Sequence, residues 1–167
     1  MAKDAPLVSI VMGSASDLEV MRPCADQLEA LGVACEIRIM SAHRTPEMVS
    51  ELASGAADRG LKVIIAGAGA AAALPGVIAA HTQLPVIGVP IDATALRGVD
   101  ALYAIVQMPS GVPVATVGID AAKNAAVLAA RIIALGDAEV ARRLAEMTRQ
   151  QAEKVIQSDK QVREETA

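Results

Sequence analysis

The sequence predicts an α/β fold with a doubly wound parallel sheet, and three observations carry that prediction. Five short runs are apolar almost throughout, as strands covered on both faces must be. Segments with apolar residues at helical spacing lie between them, so each strand is followed by a helical crossover. All five units fit within 167 residues, with no linker, repeat or low-complexity tract, so a single catalytic domain over 1–167 is expected.

The elements follow in order. PLVSIVMG (6–13) is a short apolar run closing on Gly, a buried first strand. DLEVMRPCADQLEALG (17–32) has helical periodicity and ends on Gly32, a C-terminal cap, with Pro23 early in it. VACEIRIM (33–40) alternates and reads as the second strand. TPEMVSELASGAADRG (45–60) opens with Thr45 as N-cap and Pro46 at the first helical position, and closes at Gly60. LKVIIAGAG (61–69) is the third strand running into a glycine-rich turn. LPGVIAAHT (74–82) is a short helix and LPVIGVPI (84–91) the fourth strand. GVDALYAIVQM (98–108) is helical, VPVATVGI (112–119) is the fifth strand, and AAKNAAVLAARIIALG (121–136) is a strong helix. A final amphipathic helix spans 137–159, charged through Arg142, Arg143, Glu146, Arg149 and Glu153 and apolar through Val140, Leu144, Met147 and Ile156. It packs either across a subunit interface or on its own domain. The whole is a flavodoxin-like three-layer sandwich with a five-stranded parallel sheet and an extra C-terminal helix.

Composition narrows the function. Apolar residues make up 53% of the chain, but Trp and Phe are absent and Tyr103 stands alone, so the core is built from Ala, Val, Ile, Leu and Met. A net charge of −4 argues against nucleic acid as the main partner. Cys24 and Cys35 are too few for a disulfide framework and lack metal-ligand spacing, so both are expected to be buried thiols in a reducing compartment. The polar start MAKDAP has no secretory core, and glycines and Pro75 break the longest apolar run, 63–80. A cytoplasmic protein without membrane contact is expected.

In an open parallel sheet, ligands bind beyond the carboxyl ends of the strands. Three segments fall there. Gly13, Ser14, Ser16 and Asp17 follow the first strand, where a tight turn, two hydroxyls and the amides opening a helix offer a phosphate cradle. Asp17 there is either a capping carboxylate or an acceptor for ribose hydroxyls. Ser41, Ala42, His43 and Arg44 follow the second strand: Arg44 offers a planar fork for phosphate, and His43 can donate and accept a proton near neutral pH. AGAGAAAALPG (66–76) follows the third strand and supplies close-approaching backbone, including Ala68 and Gly69. QMPSGVP (107–113) is a candidate rim, with Met108 either covering a ring or filling the core. His81, inside an apolar helix, is assigned a structural or surface role.

Taken together, VMGSASD, SAHRTPE, VIIAGAG followed by LPG, LPVIGVP, GVDALYAIVQMPSGVPVATV and NAAVLAARI resemble the N5-carboxyaminoimidazole ribonucleotide mutases of purine biosynthesis, in unbroken order over about residues 7–135. The resemblance implies a homo-octamer with active sites at subunit junctions, and a carboxylate moved from an exocyclic nitrogen to ring carbon C4 without metal or organic cofactor. It implies that His43 is the proton shuttle and that Ser14, Asp17 and Arg44 bind the ribonucleotide. Ser16, Ser41, Ala42, Ala68 and Gly69 match the surrounding shell. The partners implied are that ribonucleotide, carbon dioxide and further copies of the chain.

The third loop departs from the family pattern AGAGGAAHLPGM: Ala70 replaces a glycine, Ala73 a histidine and Val77 a methionine. Ala70 puts a methyl where the backbone needs positive φ. Direct carboxylation of aminoimidazole ribonucleotide by free carbon dioxide, action on another heterocyclic ribonucleotide, and a non-catalytic paralogue are the alternatives. A signalling receiver is disfavoured because the third strand ends in Ala66-Gly67 without an aspartate. A flavin module is disfavoured because Tyr103 is the only ring available to sandwich an isoalloxazine.

Overall fold

Residues 5–166 are described by a computed structural model of the chain. The expectation drawn from the polar N-terminus falls mostly outside them. The elements are β1 (Val8–Met12), a 3₁₀ turn (Ala15–Asp17) leading into α1 (Leu18–Ala30), β2 (Cys35–Ile39), α2 (Pro46–Gly55), β3 (Val63–Gly69), α3 (Leu74–Ala80), β4 (Val86–Ile91), α4 (Val99–Val106), β5 (Ala115–Thr116), α5 (Ala122–Ile133) and α6 (Ala138–Glu165). All strand pairs are parallel and the spatial order is β2-β1-β3-β4-β5. That is the flavodoxin-like topology the alternation predicts.

Strand alternation divides the apolar residues between two cores. Val8, Ile10 and Met12 of β1, Val63 and Ile65 of β3, and Ile87, Val89 and Ile91 of β4 face one layer. Met21, Cys24 and Leu28 of α1, the alanines of α5, and Val140 and Leu144 of α6 fill that layer. Val11, Ile64, Ala66, Ala68 and Val86 face the other, against Val49 and Leu52 of α2, Leu74 and Ile78 of α3, and Ala101 and Ile105 of α4. A continuous apolar strand is therefore a strand with two apolar partners. Tyr103 is 58% exposed, so the core is built without aromatics, as the composition requires.

Small residues set the spacing. Gly88 of β4 lies so close to Ile105 and Val114 that a methyl would overlap both side chains. Helix α5 presents Ala122, Ala125, Ala126, Ala129 and Ala130 to its neighbours, all buried. At the sheet edge, buried Ser9 donates to Glu36 Oε1 at 3.0 Å and Arg59 donates to Glu36 Oε2 at 2.6 Å. Burial opposes ionisation of Glu36, but these hydrogen bonds outweigh it and hold the carboxyl below its usual value.

Several boundaries differ from the sequence reading. β2 is an edge strand with only half-buried and exposed residues, and it is shorter than 33–40. Only Ala115 and Thr116 of segment 112–119 pair with β4 in register. α2 stops at Gly55, and the chain turns through left-handed Gly60 into β3. α6 runs past residue 159 to Glu165. Its first turns lie on the domain through Val140 and Leu144, whereas Val155, Ile156 and Val162 are more than half exposed. Cys24 is buried, with desolvation and nearby Cys35 pushing its thiol up to about 12, but Cys35 is only half-buried, contrary to expectation. Among the described residues, no helix is long and apolar enough to cross a membrane.

Two measurements test this packing. Gly88→Ala lowers the unfolding free energy by about 1–3 kcal/mol in urea titration, because Ile105 on α4 and Val114 before β5 would both have to shift; an unchanged midpoint would contradict the close approach. Glu36 has a folded pKa below its unfolded one, so its contribution is present above the ordinary carboxylate range and fades as pH falls through the folded value. Glu36→Gln therefore lowers the melting temperature near neutrality and flattens the acid limb of the stability curve.

Candidate active site

The register places the strand ends side by side. Met12 lies opposite Ile39 and Gly67, and Gly67 opposite Val89, so β1, β2, β3 and β4 open their loops on one edge. The Met40 amide donates to the Met12 carbonyl at 2.9 Å, carrying the alignment one residue further. The loops beyond it enclose an open cavity of about 270 Å³. It is lined by Gly13, Ser14 and Asp17 from the first loop, Ser41 to Arg44 from the second, Ala68 to Leu74 from the third, and Ala93 beyond β4.

The first loop is a closed capping box. The Ser14 amide donates to Asp17 Oδ2 at 3.2 Å, and Ser14 Oγ accepts from the Ser16 amide at 3.3 Å. Ser16 Oγ donates to Ser14 Oγ at 2.9 Å. Asp17 thus caps the turn and also lines the cavity. The amides of Ser14 and Ser16 are taken up inside the box, and Ser14 and Arg44 both line the cavity. Gly13 does not take a left-handed conformation, and a Cβ there would meet only Asp17 Oδ2 at 3.9 Å. The chain bends there all the same, and the missing side chain leaves the cavity open on that side.

The second loop is held by one serine. Ser41 Oγ accepts from the amides of His43 at 3.3 Å and Arg44 at 3.2 Å. Thr45 Oγ1 accepts from the Ser41 amide at 2.9 Å and donates to the Ser41 carbonyl at 3.2 Å. Thr45 is the N-cap residue of α2 as predicted, but its hydroxyl ties the loop instead of capping the helix. His43 and Arg44 are consequently displayed on a fixed backbone, both exposed. Arg44 Nη2 donates to the Gly13 carbonyl at 2.9 Å, joining the first and second loops across 31 residues of sequence.

The third loop is small and strained. Ala70 has φ 52° and Ala72 φ 42°, both left-handed. The positive φ expected at Ala70 is therefore present, and alanine occupies it. Ala72 shows a second such position that the sequence does not reveal. The Ala72 amide donates to the Gly69 carbonyl at 3.0 Å, closing the turn.

Of the nine residues singled out from sequence, Ser14, Asp17, Ser41, Ala42, His43, Arg44, Ala68 and Gly69 line the cavity. Ser16 does not; it acts on the cavity through Ser14. Segment 107–113 does not close over it in one protomer, and Met108 packs beside Gly76 of α3. His81 is exposed at the end of α3 with Nδ1 3.5 Å from Ser50 Oγ. Ala93 is a lining residue that sequence reasoning misses, since nothing in DATALRG marks it. Among the described residues no cluster of His, Cys, Asp or Glu could hold a metal.

Fold and cavity define an α/β protein of the flavodoxin-like class with an open pocket at its strand tips. The family model described as AIR carboxylase matches residues 7–154, and the chain belongs to that family. It is 55% identical to the N5-carboxyaminoimidazole ribonucleotide mutase of Pyrococcus horikoshii over 164 residues, covering 98% of this chain and 93% of that one. It is 58% identical over 137 residues to the phosphoribosylaminoimidazole carboxylase of Candida albicans, covering 82% of this chain but 24% of that longer protein. The crystal structure of Treponema denticola PurE superposes with a TM-score of 0.85 at 37% identity, covering 93% of this chain and 98% of that one.

The loop strain is measurable. Left-handed backbone costs a non-glycine residue about 1 kcal/mol, so Ala70→Gly raises stability by up to about that amount in urea titration; a lower midpoint would show the alanine unstrained.

Proposed function

We propose that the chain converts N5-carboxyaminoimidazole ribonucleotide to 4-carboxy-5-aminoimidazole ribonucleotide, with His43 as general acid and then base. The observation that carries this reading is the shared pocket of His43, Arg44, Ser14 and Asp17 facing a wall of alanine and glycine. The phosphate meets Ser14 Oγ and the Arg44 fork, which offers donors beyond the one held by Gly13. The Asp17 carboxylate, turned inward by its capping bonds, accepts ribose hydroxyls. This leaves the base beside His43.

The chemistry balances on one proton. The His43 imidazolium protonates the carbamate nitrogen, the N–C bond breaks, and carbon dioxide and the 5-amino compound remain. The electron-rich C4 attacks the carbon of that carbon dioxide, giving a ring carbon that bears both hydrogen and carboxylate. Neutral His43 removes the C4 hydrogen, the ring regains aromaticity, and the imidazolium is restored. Between the two steps the carbon dioxide must not escape. The wall of Ala68 to Ala73 presents methyls and backbone amides and no side chain able to hold a competing water. Ala73 contributes no imidazole, so the proton work rests on His43.

The reading includes a homo-oligomer, an octamer by resemblance. Leu96, Val99, Tyr103 and Val106 are exposed on and just before α4, and Val155, Ile156 and Val162 on the outer half of α6, apolar surface that a further copy of the chain would cover. An open pocket of about 270 Å³ is at the low end for burying a nucleotide, and a neighbouring copy would complete it. The domain is read as a single catalytic unit of the cytoplasm. A second reading, direct carboxylation by free carbon dioxide, is favoured by the name of the Candida relative.

Purified protein given N5-carboxyaminoimidazole ribonucleotide without added bicarbonate yields the 4-carboxy product; product formed only from aminoimidazole ribonucleotide at high bicarbonate would establish the carboxylase instead. His43→Asn lowers kcat by about a hundred- to ten-thousandfold and leaves nucleotide affinity within a few-fold. Near-normal turnover in that variant would remove the histidine from the mechanism.

A further inference from the structure

The far wall of the pocket includes Ala93, and an unusual set of bonds holds it there. A Cβ at Gly69 would lie 2.6 Å from the Ala93 methyl, so Ala93 occupies the notch that Gly69 leaves open. Ala93 lies beyond the end of β4, where the ladder no longer fixes the chain. On one side, the Asp92 amide donates to Asp120 Oδ1 at 3.0 Å. On the other, Thr94 Oγ1 donates to Asp100 Oδ2 at 2.7 Å and accepts from the Leu96 amide at 3.1 Å. The Asp92 carboxylate turns outward to Arg97 Nε at 3.1 Å.

Asp120 is itself committed to this task. It follows β5 with a left-handed backbone, φ 55°, and its amide donates to the Pro90 carbonyl at 2.9 Å. The Val117 amide reaches Gly88, so the chain bulges between the two bonds and returns to β4 at Asp120. The carboxylate then stands where the next strand carbonyl would have been. Arg97 at φ 54° and Gly98 at φ 79° turn the same segment back into α4. Left-handed conformations at Asp120, Arg97 and Gly98 thus surround one short loop whose only pocket residue is Ala93.

We infer that Asp120, seconded by the Thr94–Asp100 pair, is a positioning residue that fixes Ala93 as the wall retaining carbon dioxide between the two halves of the reaction. The inference rests on the mutase reading above. Loss of the clamp lets the 92–94 segment move off Gly69, opening the pocket on the side away from His43's loop. The consequence is partitioning: released carbon dioxide leaves with aminoimidazole ribonucleotide, where an intact wall returns it to C4.

The test compares Asp120→Gly, which keeps the left-handed backbone and removes only the acceptor, with Asp120→Asn, which keeps the acceptor. Each is given the N5-carboxy substrate, and 4-carboxy product is measured against aminoimidazole ribonucleotide formed above the spontaneous rate. D120G shifts the ratio severalfold toward the decarboxylated compound and speeds exchange of the Asp92 amide by about tenfold, while D120N restores both. Ala93→Gly, which removes the wall methyl directly, shifts the ratio alike. Folded D120G with wild-type partitioning overturns the role, whatever its exchange rate. Should D120G not fold, Thr94→Val takes its place with the same two readouts, and wild-type partitioning in that variant overturns the role equally. Wild-type protein making no 4-carboxy product would sink the reaction and not the clamp, which the Asp92 exchange rate in D120G then decides: unchanged exchange overturns it.

Discussion

Near-flush parallel pairing of β1 with β2 and β3 is the interaction on which the rest of the site depends. Parallel strands need long crossovers, and in this chain the crossovers are helices packed on both faces. That arrangement buries every residue of β1 and leaves the polar chemistry only the strand tips. A one-residue slip of β2 would exchange its two faces and shift the loop beyond it, Ser41 included, by one position along β1. The Met40–Met12 bond and the Arg44–Gly13 bond stand on either side of that danger, one in the backbone and one in the side chains. Both join the same two loops, so the placement of His43 is set by sheet register before any local contact acts.

Local bonding then does something the sequence pattern does not suggest. Polar residues near the tips mostly satisfy the backbone and only secondarily face the cavity. Ser41 accepts from two amides, Thr45 ties Ser41, Ser14 and Asp17 cap each other, and Ser16 supports Ser14. Loop polar groups that lack a ladder must find partners, and here they find one another. His43 and Arg44 are different: their backbones are fixed and their side chains stay exposed. Rigid backbone beneath unburied side chains suits the proton transfer and anion binding proposed for this pair.

Much of this is legible in the sequence. Continuous apolar runs announce β1, β3 and β4 because each has a core on both sides, and terminal glycine marks the end of α1 at Gly32. Histidine and arginine at a strand end announce the pocket. The losses have physical causes. VPVATVGI reads as a full strand because its composition is β-prone, yet the chain bulges to bring Asp120 to Pro90 and only two residues keep register. Helix α6 outruns its amphipathic pattern because its last turns are polar, and ion pairs such as Lys160 with Glu164 and Arg163 with Asp159 join residues one turn apart there without a core. Ala93 is invisible in the sequence because its role comes from the absence of a side chain at Gly69, a residue 24 positions earlier.

The alanine-rich third loop raises a question of energy that the geometry answers. Left-handed Ala70 and Ala72 cost the fold stability that glycines would spare. Glycine there would also loosen the turn in the unliganded protein, since it gives up the most conformational freedom on ordering. Alanine accepts strain in the native state and restricts the alternatives to it. The surroundings can hold such strain because Ala72 is buried against the second core and Leu74 anchors the start of α3 beside it. In the mechanism proposed above, which must retain carbon dioxide, a wall held in place by its surroundings is worth more than a relaxed one. The same logic applies on the opposite side, where the residues flanking Ala93 are held by Asp120, beyond β5, and Asp100, on α4. Between the two stiffened walls, the first and second loops present the one imidazole of the pocket.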